Sequence, residues 1–319
     1  MSGTVASMFE VYLARSDLRP ASIRFKRKAN DYFIEWFGDI PVNQVKRSMA
    51  EDYKTMLAKG RKKRTANGYL ANYRPFFRWL FMGGYIPNDP FGGIRLYRIT
   101  ESRRRTFTAL ELSRLVQTAS RLWRVRICLG LLGMRRGEVL NLTVREINQS
   151  GRDSHILIQP KKRTENTWPW GIKDHAVRMI ALPETMRFAG YEVYLHRDLV
   201  RLQEDLEQQP YVCLEKRYYD KLMRWQDEGT LTDVNIADPT GNFQRFFRRL
   251  QYNAGIRELR RYHELRAAFA TKMIAKQGLE RAADALGHSS VEITRRYDRR
   301  TESQLVADIG RMAVSFYET

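Results

Sequence analysis

Two cysteines and five histidines are all that the 319 residues hold of the side chains that most often bind metals or form cross-links. Cys128 and Cys213 lie far apart in apolar surroundings. They fit core thiols in a reducing compartment, and they exclude the dense disulfide framework of a small secreted domain. There is no CxxC pair and no HExxH helix, so the familiar zinc spacings are missing. There is no P-loop. No stretch approaches the ~18 uninterrupted apolar residues of a membrane span. The opening "MSGTVASMFEVYLARS" lacks the cationic start and apolar run of a secretory signal. The expected location is therefore cytoplasmic, nucleoid-associated in a prokaryotic host. Internal repeats and low-complexity tracts are also missing.

Negative charge is in deficit. Against 36 acidic residues stand 56 Lys and Arg, giving a formal charge of +20 and a pI of about 10.1. Such a balance is silent on fold but predicts a polyanionic partner. The charge is not confined to one tail. It runs through 19–28, 59–64 and 245–261, which also carry apolar helical periodicity. With 43% apolar and 12% aromatic residues, a disordered basic arm is excluded. A folded, nucleic-acid-binding protein is indicated, and the length suits about two domains.

Helical spacing dominates the first hundred residues. Residues 5–15 place Phe9, Tyr12 and Leu13 on one face. "RPASIRFKRKANDYFIEWFG" has the period of a helix ending at Gly38. In "NQVKRSMAEDYKTMLAKG", Ser48 precedes Glu51 by three, a capping-box pattern, and the segment closes on Gly60. A fourth helix carries an aromatic stripe at Tyr69, Tyr73, Phe76, Phe77 and Leu80, and Gly83-Gly84 ends it. Residues 1–98 thus read as a helical unit. Arg24, Lys26, Lys28, Lys62, Lys63 and Arg64, on the opposite faces, are its candidate phosphate contacts. Residues 99–107 read as a linker.

"TALE" at 108–111 is another capping box, and an apolar helix is expected over 122–134. Residues 151–184 change character. "HILIQPKK" and "VRMIALPE" are short β-like runs, with "ENTWPWGIK" between them as a candidate third strand. From 190 to 316 the pattern is helical, broken at Gln209-Pro210 and at "DEGTLTDVNIADPTGN". The expected fold is mainly α, with a small antiparallel sheet in the second domain.

One short run concentrates chemistry. "HELRAAFATKMIAKQGLERAADALGHSSVEITRRY" spends two of the five His within it. His263 and Arg266 are three apart on one helix face. His288 follows Gly287 at a turn, and Tyr297 stands nine further on. Upstream, Arg135 comes just after Gly133, where an apolar helix stops, with Glu138 three residues on. These residue types suit attack on a phosphodiester. Guanidiniums clamp the non-bridging oxygens. Imidazoles donate hydrogen bonds and move protons. A Tyr hydroxyl, of ordinary pKa about 10, is a candidate nucleophile that a cationic pocket would help ionise.

These motifs resemble the tyrosine recombinase (lambda-type phage integrase, Xer-like) family. Its pattern is G-[LM]-R-x-x-E, a hairpin Lys, H-x-L-R, L-G-H and a Tyr. Here it reads Gly133-Met134-Arg135-Arg136-Gly137-Glu138, then His263-Glu264-Leu265-Arg266, Leu286-Gly287-His288 and Tyr297. The match spans residues 106–300. The first unit resembles, more weakly, the family's SAM-like core-binding domain. Ala267 departs from the His often found there.

The resemblance implies a catalytic domain over 108–300 that cleaves and rejoins DNA through a 3′-phosphotyrosyl link, with no cofactor and no metal. Arg135 and Arg266 would hold the scissile phosphate. His263 and His288 would hydrogen-bond it, His263 being the candidate acceptor of the Tyr297 proton. Glu138 would support Arg135. The proton donor would be Lys173, five residues before Arg178 of "RMIALP", with Lys161 and Lys162 as alternatives. Residues 301–319, with Leu305, Ile309, Met312 and Phe316 at helical spacing, would form a tail docking on a neighbouring subunit. The implied partners are double-stranded DNA, a homo-tetramer on two sites, and an accessory DNA-bending or directionality protein. Two other readings are a type IB topoisomerase-like enzyme and a DNA-binding protein without catalysis.

Overall fold

The computed structural model describes residues 3–16, 18, 20–99, 106–172, 177–205, 209–288, 290–298 and 300. It divides into two compact units, Met1–Ser102 and Arg103–Thr319. Lys173 and the tail residues Leu305, Ile309, Met312 and Phe316 lie outside the described residues, as does most of the expected linker.

The first unit holds four α-helices among its described residues: α1 (Val5–Ala14), α2 (Pro20–Phe37), α3 (Arg47–Ala58) and α4 (Lys63–Met82). Thr4 caps α1 by accepting the Ser7 N–H at 3.3 Å, as an N-cap hydroxyl does. α2 opens on Pro20, whose missing N–H costs nothing at a first helical position. α3 departs from the capping-box expectation. It starts at Arg47 without a side-chain cap, and Glu51 instead takes the Arg47 Nε–H at 3.0 Å. Ser48 therefore sits inside the first turn.

The aromatic stripe is core. Phe9, Phe33, Tyr53, Tyr73, Phe76, Phe77 and Phe91 are fully buried together. Tyr53 satisfies its hydroxyl on the Ala29 carbonyl at 2.6 Å, and Tyr73 on Asn30 Oδ1 at 2.9 Å. Lys26 is a correction to the basic-face reading. It is buried, and its Nζ donates to Tyr12 Oη (3.1 Å) and the Asn72 carbonyl (2.9 Å). Arg24, Lys28, Lys62, Lys63 and Arg64 are exposed.

The second unit opens with α5 (Ala109–Thr118), whose Thr108/Glu111 capping box is complete. α6 (Arg121–Leu131) and the short α7 (Arg136–Leu140) follow. A three-stranded antiparallel sheet holds β1 (Ile147–Asn148), β2 (His155–Ile158) and β3 (Arg178–Ala181), with Ile156 opposite both Ile147 and Ile180. The outer strand on that side is thus β1 rather than "ENTWPWGIK". That segment adds only a bridge between Lys161 and Trp170, because Trp168 turns inward to be buried.

A second hairpin, β4 (Thr185–Phe188) and β5 (Tyr191–Tyr194), falls partly in the stretch expected to be helical. Its Ala189-Gly190 turn, with Gly190 at positive φ, was the overlooked signal. α8 (Leu195–Asp205), α9 (Lys216–Asp227), α10 (Asp233–Ala237), α11 (Phe243–Asn253), α12 (His263–Gln277), α13 (Leu279–Leu286) and α14 (Val291–Arg295) complete the described elements. Helices therefore dominate, with small antiparallel sheets. Cys128 and Cys213 are buried and unbridged, and burial raises both thiols to about 12. No helix among the described residues is long and apolar enough to cross a membrane.

Candidate active site

Packing fixes the start of α12. Fully buried Tyr262 precedes it, donating its hydroxyl to the Arg126 carbonyl. His263 is thereby set at the helix N-terminus, and Arg266 points inward one turn later, 1% exposed. Its Nη1 donates to the Gly133 carbonyl, and its Nη2 to the Leu286 carbonyl at 2.7 Å. Two main-chain carbonyls, from the breaks after α6 and at the end of α13, thus orient one guanidinium. Gly133 is required on two counts. Its φ is +92°, and a Cβ there would sit 2.9 Å from the Phe269 ring.

Arg135 occupies the N-cap position of α7. Its N–H donates to Glu138 Oε2 at 2.7 Å, and its Nη1 to Oε1 at 3.1 Å. Buried Glu138 also receives both Nη groups of Arg178, at 3.0 and 2.7 Å. Burial works against the Glu138 charge, yet the Arg178 and Arg135 bonds hold its carboxyl below the usual range. Three guanidiniums around one carboxylate leave an excess of two positive charges. Burial first, then the like charge of Arg135, pushes Arg266 down to about 9, so it stays charged at pH 7.

Tyr297 reaches this cluster from the turn after α14. Its Oη lies 2.7 Å from His263 Nε2. Its main chain is tied twice: the N–H donates to the Thr294 carbonyl, and the carbonyl accepts from Thr271 Oγ1, each at 2.8 Å. The His288 ring lies over Tyr297, centroids 5.2 Å apart. His288 Nε2 is 3.1 Å from Arg266 Nη2, and its Nδ1 is 2.7 Å from Thr294 Oγ1. A guanidinium only donates, so Nε2 is the acceptor and the proton rides on Nδ1 toward Thr294. A cleft of about 400 Å³ opens here, lined by Arg135, Arg136, Arg261, His263, His288 and Tyr297 among others.

The described residues thus bring together Arg135, Glu138, His263, Arg266, His288 and Tyr297, although more than a hundred residues separate the first from the last. A phosphodiester is what such a cleft can hold. The guanidinium excess offsets the charge that grows as phosphorus takes a fifth oxygen. A phenol against an imidazole nitrogen can lose its proton to it.

Comparison with known proteins agrees with the geometry. Residues 238–304, which carry α12, α13 and Tyr297, match the model of the phage integrase family. The integrase fold also extends over nearly the whole chain. A lambda integrase dimer bound to a COC′ core site superposes with TM-score 0.68 at 16% identity, covering 94% of this chain and 97% of that one. A lambda integrase tetramer bound to a Holliday junction gives TM-score 0.68 at 18% identity, covering 94% and 79%. The Tn1549 transposon integrase in complex with circular intermediate DNA gives 0.67 at 18%, covering 97% and 99%. No match was found among curated proteins.

Sequence reasoning missed three parts of the candidate site. Arg178 served only as a landmark, yet it is the main partner of Glu138. Gly287 of the L-G-H box sits against it: φ is +61°, and a Cβ would meet Arg178 Cδ at 2.9 Å. Thr294 joins His288 to the Tyr297 turn while fully buried. Thr271 and Thr294 carry no motif signal, because any small polar residue reads as surface until the helices pack.

Lys161 has a defined setting. Its Nζ pairs with Glu146 at 2.9 Å and lies 4.5 Å from the Trp170 ring centroid. Burial lowers its pKa, while Glu146 and, more weakly, Glu138 raise it. Lys162 is exposed.

Proposed function

We propose that this chain is a site-specific DNA recombinase that breaks and rejoins strands through Tyr297. The observation that carries the reading is Tyr297 Oη at 2.7 Å from His263 Nε2, in a cleft lined by Arg135 and by His288, which Arg266 contacts from behind. His263 takes the phenolic proton. Tyr297 Oη bonds to phosphorus, and the bond from phosphorus to the 5′ oxygen breaks. The 3′ end stays linked to the Tyr, and the 5′ oxygen leaves with a proton from a lysine. Because the phosphotyrosyl ester keeps the energy of the broken link, a 5′ hydroxyl from another strand can reverse the step and join. Arg135 and Arg266 bind the non-bridging oxygens, His288 steadies Arg266 by accepting its Nη2–H, and Glu138 orients Arg135.

Lys161 and Lys173 are the candidate donors. Burial next to Arg135's own segment supports Lys161, since a lowered pKa makes a better acid. Ala substitutions at each, read as cleavage rates, separate them. Double-stranded DNA is the substrate, and the exposed cations of the first unit supply phosphate contacts. The structural neighbours act as DNA-bound dimers and tetramers, which supports a homo-tetramer on two sites, with the 301–319 tail docking between subunits. An accessory DNA-bending or directionality protein completes the reaction on nucleoid DNA. A topoisomerase-like monomer is not favoured by these neighbours.

The test is Tyr297→Phe with DNA carrying the cognate site. The covalent protein–DNA adduct, seen on a denaturing gel, should vanish while DNA binding persists. An adduct formed by Tyr297→Phe would overturn the assignment.

A further inference from the structure

The segment between β2 and β3 is long and unusual in content, with Trp168, Pro169 and Trp170 in a row. Trp168 is fully buried. Its ring stacks on Tyr211, centroids 3.9 Å apart and planes 7° apart, and its main-chain N–H donates to Tyr211 Oη at 3.2 Å. Its indole Nε1–H donates to Asn141 Oδ1 at 2.7 Å. Asn141 is also fully buried and immediately follows α7. Its Nδ2 donates back to the Gly137 carbonyl of that helix (2.9 Å) and across to the Ile236 carbonyl of α10 (3.1 Å). Every polar atom of the Asn141 amide is thus engaged, and one end of its network is the helix that displays Arg135 and Glu138.

Two residues beyond Trp168, Trp170 pairs its main chain with Lys161 in both directions, at 2.8 and 3.0 Å. A second clamp comes from the same stretch of chain. Glu146 binds Lys161 Nζ through Oε1, while its Oε2 accepts the Thr143 N–H (2.9 Å) and hydroxyl (3.0 Å). The chain from Arg135 to Glu146 therefore grips the lysine-bearing hairpin at two points. One is a stacked, hydrogen-bonded tryptophan and the other a buried ion pair.

We propose that Trp168 is a positioning residue: it clamps the hairpin that carries Lys161 to the segment that carries Arg135 and Glu138. Proton donor and phosphate clamp then keep a fixed separation. This rests on the strand-cleavage reading above, with Lys161 as the donor to the 5′ oxygen. A core role alone would make Trp168 matter for folding and for every step equally. A positioning role makes it matter for protonation of the leaving group in particular.

The leaving group supplies the test. In a DNA whose scissile 5′ bridging oxygen is replaced by sulfur, the departing thiolate needs no proton. Single-turnover cleavage is measured on oxygen- and sulfur-bridged DNA for wild type, Lys161→Ala, Lys173→Ala, Trp168→Phe and Glu146→Gln, with binding followed separately. Trp168→Phe keeps a ring on Tyr211 and removes the indole N–H. It should slow cleavage of ordinary DNA at least about 10-fold, short of the roughly 10²–10⁴-fold cost of losing a general acid outright. On sulfur-bridged DNA it should stay within about 2-fold of wild type, as should Lys161→Ala. Equal losses on both substrates, or no loss on either, overturn the proposal. So does a sulfur-rescued loss in Lys173→Ala in place of Lys161→Ala. Should Trp168→Phe fail to fold, Glu146→Gln releases the other clamp and must show the same rescue. A wild-type protein that forms no adduct on either DNA refutes the cleavage reading itself rather than the clamp.

Discussion

Glu138→Gln isolates the counter-charge of the guanidinium cluster. The carboxylate accepts four bonds, two from Arg135 and two from Arg178. Glutamine keeps one acceptor oxygen and turns an NH2 group toward donors, so about half of these bonds are lost. Charge-assisted bonds contribute roughly 1.5–3 kcal/mol each, which puts the loss at about 3–6 kcal/mol. Breaking one side of a buried ion pair costs about 3–5 kcal/mol, in agreement. For a unit spanning Arg103–Thr319, at roughly 2–4 °C per kcal/mol, the melting point should fall by roughly 6–24 °C.

The pH dependence has a definite sign. The folded pKa of Glu138 lies below its ordinary 4.5, so the carboxylate stabilises fully above about pH 4.5. That contribution is lost as pH falls through the lowered value. Thermal unfolding of wild type and Glu138→Gln should therefore differ most near neutrality and converge in acid. Adding Arg178→Met to Glu138→Gln should cost less than the two single changes together, since they remove one shared interaction. A Glu138→Gln protein melting within about 2 °C of wild type at pH 7 would refute this account of the cluster.

Thr294→Val removes the oxygen that receives the His288 Nδ1 proton. Cleavage should fall about 10-fold while Thr294→Ser recovers most of the rate, and equal activity of Val and Ser would refute the tautomer argument. Gly133→Ala forces a side chain into φ +92° and into the Phe269 ring. It should lower stability by more than ~1 kcal/mol and slow cleavage, because the displaced carbonyl is the one Arg266 holds; unchanged melting would contradict this. Lys26→Met should lower the melting point of the first unit without changing the salt dependence of DNA binding. Lys28→Ala should do the reverse, reducing the slope of log affinity against log salt by about one.

Much of the site was legible before folding because its residue types are chemically unusual. Two His, two Arg and a Tyr have few structural uses together, and Arg135, His263 and His288 each fall beside a glycine or a helix start that sequence marks well. The helices of the first unit were equally legible, since apolar residues recur every three to four positions and glycines close the turns. Lys26 was misread because its neighbours in sequence are exposed cations. Only packing reveals that its ammonium meets Tyr12 and a main-chain carbonyl. The β4–β5 hairpin was overlooked because its strands are four residues long and carry charges that blur the alternation.

Sequence alone determined the charge, the helical class, the two-part layout and the list of candidate site residues, all of which follow from local pattern and composition. Tertiary structure decided which groups meet. Arg178 becomes the partner of Glu138 because the start of β3 delivers its guanidinium to that carboxylate, and Gly287 leaves room for it. His288 takes one tautomer because Arg266 and Thr294 flank it. Trp168 turns inward because Asn141 and Tyr211 accept it there. Hydrogen bonds and close packing act over a few ångströms, and the residues that satisfy them are separated by tens to hundreds of positions in the chain. No local pattern records such pairings, so they exist only once the backbone has folded.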